Sequence, residues 1–139
     1  MSASFEEKSV WVRLSSLIFL LGFYLVYAGT MLSSGVSEAG AMVSLFMVAV
    51  IAQLAVLILG HVVAALSGRR EGRDERDRSI SWRAEAHSSW LLVVGVLSAV
   101  MALAASWSSA WVAHLLIVSL IMTDVVKHTL QLVYYRRGL

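Results

Sequence analysis

The chain has 139 residues, of which 59% are hydrophobic and only 14% charged, and its mean hydropathy is +0.79. A soluble domain carries about a quarter charged residues, so this composition excludes an ordinary soluble domain and indicates an integral membrane protein. The chain contains no cysteine, which excludes disulfides, thiolate chemistry and cysteine-ligated metal centres.

Four apolar segments follow one another along the chain, and each has the ~20 residues needed to cross a ~30 Å hydrocarbon core. They cover residues 14–32, 41–66, 82–106 and 110–134. The chain has no proline, and apolar runs of this length favour helices over the short alternating strands of a barrel. The sequence therefore predicts an all-α fold, an antiparallel bundle of four transmembrane helices that forms a single domain.

The basic residues predict how the bundle is oriented. Lysine and arginine precede the first span, recur in the loop at residues 67–81 and close the chain, whereas the two short connections contain neither. The positive-inside rule then places both termini and loop 67–81 in the cytoplasm, in a multi-pass protein of the plasma (inner) membrane. Because the charges flank the apolar segments, the net charge of +2 gives no reason to expect direct binding of nucleic acid.

Charges of alternating sign run from the loop into the third span, in the stretch E-R-D-R-S-I-S-W-R. Asp77, Ser79 or Ser81 is a candidate to cap the third helix. One interpretation is a solvated turn whose charges pair with each other. The other is a docking surface for a cytoplasmic protein or, less readily because the acids nearly cancel the arginines, for anionic lipid head groups. The candidate partner-binding residues are Glu75, Arg76, Asp77 and Arg83.

The same stretch resembles a motif in an uncharacterised family of small four-helix membrane proteins, E-R-D-x-x-I-x-x-[RK]-A-x-x-x-S. The matching residues are Glu75, Arg76, Asp77, Ile80, Arg83, Ala84 and Ser88. Members of that family are often encoded beside small helix-turn-helix regulators, so the resemblance implies a membrane sensor or a regulatory partner. It implies no catalytic activity, and the histidines of this chain are not part of the motif.

Small residues at helical spacing predict where the helices touch, because they let two backbones approach closely within lipid. The third span carries Ala84, Ser88, Gly95, Ala99, Ala102 and Ser106 on one face. The second span carries Gly60, Ala64 and Gly68 at intervals of four. Such faces serve contacts within one chain or between copies, and we expect a homo-oligomer.

The fourth span carries a polar constellation, T-D-V-V-K-H-T-L-Q, within an otherwise apolar helix. Its charged and polar members are Asp124, Lys127, His128 and Gln131, spaced as one helical face. In the plainest interpretation Lys127 snorkels to the interface and pairs with Asp124, while the imidazoles hydrogen-bond between helices. A proton or ion path through these groups is a further interpretation.

A ligand site is the remaining interpretation of the polar residues. Asp124 and His128 offer two ligands from one turn, and His61 and His87 have the depth to complete a divalent-metal set. His61 and His128 are alternatively the axial ligands of a haem between helices. The fourth histidine, His114, lies near the opposite membrane face.

No arrangement of nucleophile and base is visible in the sequence, so we expect no catalysis. The sequence predicts a small oligomeric membrane protein that regulates or binds a partner through its cytoplasmic loop. The alternatives are a haem- or metal-binding bundle and a subunit of an ion channel or transporter.

Overall fold

The fold is all-α, as the sequence predicts, and the four helices agree closely with the four apolar segments. A computed structural model describes residues 5–35, 39–66 and 74–138; a few side chains within these ranges, His61 among them, lie outside the description. The helices are α1 (Phe5–Ser33, 29 residues), α2 (Ala39–Leu66, 28 residues), α3 (Glu75–Ala104, 30 residues) and α4 (Ser109–Arg137, 29 residues). All four are long and apolar enough to cross a membrane.

Helix α3 begins earlier than the predicted span, because part of the predicted loop 67–81 is helical. Asp74 caps the helix: its side chain accepts a hydrogen bond from the backbone N–H of Glu75 at 2.7 Å. The Asp77 carboxylate in turn accepts from the Asp74 backbone N–H at 3.2 Å, which completes a capping box. The N-cap is therefore Asp74, and neither Ser79 nor Ser81 caps the helix.

The connection between α3 and α4 is a tight turn stabilised by the backbone. Ser106 adopts a φ of 59°, and the N–H of Trp107 donates to the carbonyl of Ala102 at 3.0 Å. A left-handed residue followed by such a bond is a Schellman closure, in which orphan carbonyls at the end of a helix are satisfied. It lets α4 begin at once and run back along α3.

The helix contacts join the helices in the spatial order α2–α1–α4–α3. Neighbouring helices are antiparallel: early residues of α1 pack near late residues of α4, and later residues of α1 near early ones of α4. We call the end where α1 and α3 begin and α4 ends the charged end, and the opposite end the turn end. Within the described part of the chain, α2 packs mainly against α1.

The small-residue face of α3 packs against α4, as its spacing predicts. Its buried members are Ala84, Ser88, Gly95, Ala99 and Ala102, whereas Ser106 lies in the exposed turn. A Cβ added at Gly95 would collide with the side chain of Ser119, so the two backbones approach as closely as only glycine allows. On α2, a Cβ at Gly60 would lie 2.7 Å from Cγ1 of Val12, while the side chains of Ala64 and Gly68 lie outside the description.

Candidate functional site: a polar interface between two helices

Three polar pairs cross from α3 to α4 at the charged end, and we call them the polar interface. They are Asp77 with Tyr135, Ser81 with Gln131, and Glu85 with Lys127. Each pair is separated from the next by four residues on both helices, which is one turn of an α-helix. The three pairs therefore form a continuous ladder along the seam where the two helices meet.

The outermost pair connects the start of α3 to the end of α4. The hydroxyl of Tyr135 donates to Oδ1 of Asp77 at 2.8 Å, while Oδ2 of the same carboxylate belongs to the capping box. Both carboxylate oxygens are thus engaged within the chain. Asp77, predicted as a partner-binding residue, is consequently a structural residue in this arrangement.

The middle pair extends to a buried histidine. Nδ1 of His128 donates to Oε1 of Gln131 at 2.7 Å, because an amide oxygen can only accept, and Nε2 of Gln131 donates to Oγ of Ser81 at 3.2 Å. His128 and Gln131 are both buried. Ser81 contacts the amide and not the imidazole, so this arrangement does not place a general base beside the hydroxyl.

The innermost pair corrects one expectation from the sequence. Lys127 forms an ion pair with Glu85 on α3, not with Asp124 on its own helix. Lys127 is largely buried at 22% exposure, whereas Glu85 is 63% exposed. The Lys127 side chain lies in the seam between α3 and α4, where the carboxylate of Glu85 faces it.

Among the predicted metal ligands whose side chains are described, His87, Asp124 and His128 are not gathered around one point. His87 is exposed, with Nδ1 donating to the carbonyl of Arg83 at 2.7 Å and lying 3.3 Å from the hydroxyl of Tyr134. Within the described residues, no group of three or more histidine, aspartate or glutamate side chains is placed to hold a metal ion. The side chain of His61 lies outside the description, so a haem or metal site that includes it stays a prediction.

Asp124 has a different environment from the rest of the constellation. Its side chain is exposed, and it makes no hydrogen bond or ion pair with any other described residue. At 1.5 Å per residue it lies roughly 20 Å from either end of α4. Its exposed carboxylate therefore lies near the middle of a membrane-length helix.

The remaining candidate partner-binding residues lie on the outer surface at the start of α3. Glu75, Arg76 and Arg83 are exposed, and Ser79 between them is exposed as well. Arg76, Ser79 and Arg83 follow the spacing i, i+3, i+7 and share one face of the helix. This exposed strip is held in place by the capping box and by the Tyr135–Asp77 bond on its inner side.

Sequence reasoning missed a second polar contact, which lies nearer the turn end. The hydroxyl of Tyr24 on α1 forms a hydrogen bond with Nδ1 of His114 on α4, and both side chains are buried, at 1% and 6% exposure. Nε2 of His114 is buried without a hydrogen-bond partner in the described part of the chain. The sequence offers no signal for this pair, because its members are far apart and their contact depends on how two helices are rotated.

Comparisons with protein-family models, with curated proteins and with solved structures found no match to this chain.

Proposed function

We propose that this chain is a membrane protein without catalytic activity that binds a protein partner through the exposed strip at the start of α3. In this proposal both termini and the strip face the cytoplasm, since lysine and arginine concentrate at the charged end. The proposal rests on one observation above all, namely that the strip is helical, capped and bonded to α4.

The fixed orientation of the strip favours binding for a thermodynamic reason. Ordering a flexible charged loop on binding costs roughly 1 kcal/mol for each immobilised side chain, and more for the backbone. The capping box and the Tyr135–Asp77 bond already order this backbone in the folded protein. Arg76 and Arg83 are therefore presented at a constant spacing before a partner binds. A partner segment of mixed charge would complement these arginines and the acids that alternate with them.

Site-specific photocrosslinking in intact cells tests this proposal. A photoreactive amino acid at Ser79 reports on the strip, and the same group at Ser98, which is exposed in the apolar half of α3, is the matched control. We expect a discrete adduct from position 79 that is absent from position 98 and is lost when Arg83→Glu is added. Identical adducts at both positions, or an adduct unaffected by Arg83→Glu, would contradict the proposal.

We also propose that the protein forms homo-oligomers, with Asp124 covered by a second copy. A charged side chain at the centre of a membrane helix costs about 3 kcal/mol or more when it faces lipid, and Asp124 is exposed at that depth. A neighbouring copy removes the carboxylate from lipid. We expect native mass spectrometry of Asp124→Leu to show a changed distribution of oligomers. An unchanged distribution would show that Asp124 lies outside any contact between copies.

Ion conduction is the second candidate function, and the exposed carboxylate of Asp124 is the observation that favours it. Several copies that turn this residue toward a shared axis would line a path with carboxylates. Reconstituted liposomes would then show cation flux that falls at least tenfold in Asp124→Asn. If the wild type shows no flux, ion conduction is rejected and partner binding remains as the proposed function.

A further inference from the structure

A lateral groove runs along α1 and α2 below the charged end. It has a volume of about 520 Å3 and is lined by Trp11, Val12, Ser15, Ser16, Phe19 and Val56. The lining surface is mostly apolar, and the groove is open to the side rather than enclosed. Its volume falls within the range of about 300–1,000 Å3 that small-molecule sites have in proteins.

Two cationic residues, Lys8 and Arg136, lie toward the charged end from this groove. Lys8, Val12, Ser15 and Phe19 follow the spacing i, i+4, i+7, i+11, so Lys8 lies on the groove-lining face of α1, one turn nearer the charged end. Lys8 is exposed. One face of α1 therefore carries a cation near the charged end and the groove-lining residues further along the helix.

Arg136 adds a second cation from α4. The central carbon of its guanidinium lies 5.8 Å from the ring centroid of Trp11, a cation–π contact that holds the arginine beside the groove. Arg136 is exposed. Trp11 itself is 43% exposed and lies at the level where tryptophan anchors helices to the membrane interface.

We infer that the groove binds one acyl chain of an anionic phospholipid, and that Lys8 and Arg136 hold its phosphate. The assignment follows from the order of the side chains from the charged end inward. Two cations come first, then an interfacial tryptophan, and then the apolar groove along a membrane-length helix. A free phosphate would satisfy the cations and leave the groove unused. A neutral lipid would fill the groove and leave the cations without an anion.

This site is separate from the strip on α3 that we propose as a protein-binding surface. At the start of α3, the exposed arginines alternate with Asp74, Glu75 and Asp77, so their field is largely cancelled. Near Lys8 the sequence carries two acids, Glu6 and Glu7, and the side chain of Glu7 is half-buried on the neighbouring face of α1. Unlike the strip on α3, this region combines its cations with an apolar groove.

Native mass spectrometry of the full chain measures the proposed site directly. The protein is titrated with phosphatidylglycerol and with phosphatidylcholine that carry identical acyl chains. We expect one tightly retained phosphatidylglycerol per chain, and weaker binding of phosphatidylcholine. Lys8→Gln with Arg136→Gln should weaken phosphatidylglycerol about fivefold per cation removed and leave phosphatidylcholine unchanged.

Two further variants and one competitor make the outcome decisive. Arg78→Gln with Arg83→Gln removes two exposed cations from α3 and should leave the retained lipid unchanged. Ser15→Trp fills the groove and should abolish retention of the tight lipid. Millimolar inorganic phosphate should not displace it.

Equal weakening by both double variants would identify general attraction to anionic lipid and overturn the proposal. Retention that survives Ser15→Trp would overturn it too, because the acyl chain would then lie elsewhere. Displacement by inorganic phosphate would identify a free-anion site in place of a lipid site.

Discussion

The α3–α4 pair and the α1–α2 pair are both antiparallel helix hairpins, yet different kinds of contact hold their interfaces together. The first combines a buried stripe of small residues with the ladder of the polar interface. In the second, the described contacts include a glycine against one valine side chain and one hydrogen bond, from Gln53 to Ser16 at 3.0 Å. Only 6% of the apolar window of α2 is buried, compared with 22% for α3.

The difference shows what holds helices together where the solvent is itself apolar. A leucine gains little by leaving lipid for another helix, so association depends on close packing and on hydrogen bonds between helices. By that measure α3 and α4 form the firm part of the molecule. Over its described residues, helix α2 is largely exposed and packs mainly against α1.

Substitutions at three glycines should give the largest difference in stability between the two helix pairs. We expect Gly95→Ala to destabilise the fold by about 2 kcal/mol, because the new methyl group would overlap the Ser119 side chain between two closely packed backbones. Gly60→Ala should cost less, since it meets only the end of a valine side chain. Gly22→Ala is the control: nothing lies within 4 Å, so improved helix propensity should make it neutral or stabilising.

Unfolding of the purified proteins in mixed micelles gives the free energies for these variants. The order of stability should be Gly22→Ala, then Gly60→Ala, then Gly95→Ala. If Gly60→Ala proved the most damaging, α1–α2 would be the tighter pair and the comparison would be reversed.

Two glutamines give a second, intermediate comparison. Gln131→Leu removes the partner of both His128 and Ser81 in a buried position, and we expect it to cost about 1.5 kcal/mol. Gln53→Leu should cost no more than about 0.5 kcal/mol, because the Ser16 hydroxyl still donates to the carbonyl of Arg13 at 2.8 Å. The same micelle unfolding measures both, and equal losses would show that hydrogen bonds in the two pairs contribute alike.

The smallest expected effect belongs to the outermost pair of the ladder. Tyr135→Phe removes one hydrogen bond at the charged end, where water competes for the carboxylate, and should cost about 0.6 kcal/mol. The local effect should be larger than the global one. Hydrogen exchange of the first turn of α3 should accelerate in Tyr135→Phe and stay unchanged in Tyr134→Phe. Identical protection in both variants would show that the Tyr135–Asp77 bond does not stabilise the start of α3.

Hydropathy and periodicity were sufficient to predict the four helices and the buried face of α3. They measure which segments prefer lipid and which positions share a side, and both properties are local to one helix. The start of α3 was missed because hydropathy marks the membrane-crossing portion alone. Asp74 with Asp77 is a capping box made from two aspartates, a less familiar pattern than serine or threonine followed by glutamate.

The candidate site was predicted less completely, because its contacts depend on how helices are rotated against each other. Equal depth suggested that His87, Asp124 and His128 could converge, but His87 and Asp124 are exposed while His128 is buried. The partner of Lys127 was assigned within its own helix because only local spacing was visible. Tyr24 and His114 show the same limitation, because they are in contact although no sequence pattern predicted it.

The central position of α4 has a consequence for how the protein is made. This helix packs against both α1 and α3, yet it is the last of the four to leave the ribosome. Until it inserts, the small-residue face of α3 and the hydroxyl of Tyr24 lack the partners that α4 supplies. The contacts of α1 and α3 with α4 therefore form last, and a chain that is cut short before α4 would leave these faces of α1 and α3 uncovered to membrane proteases.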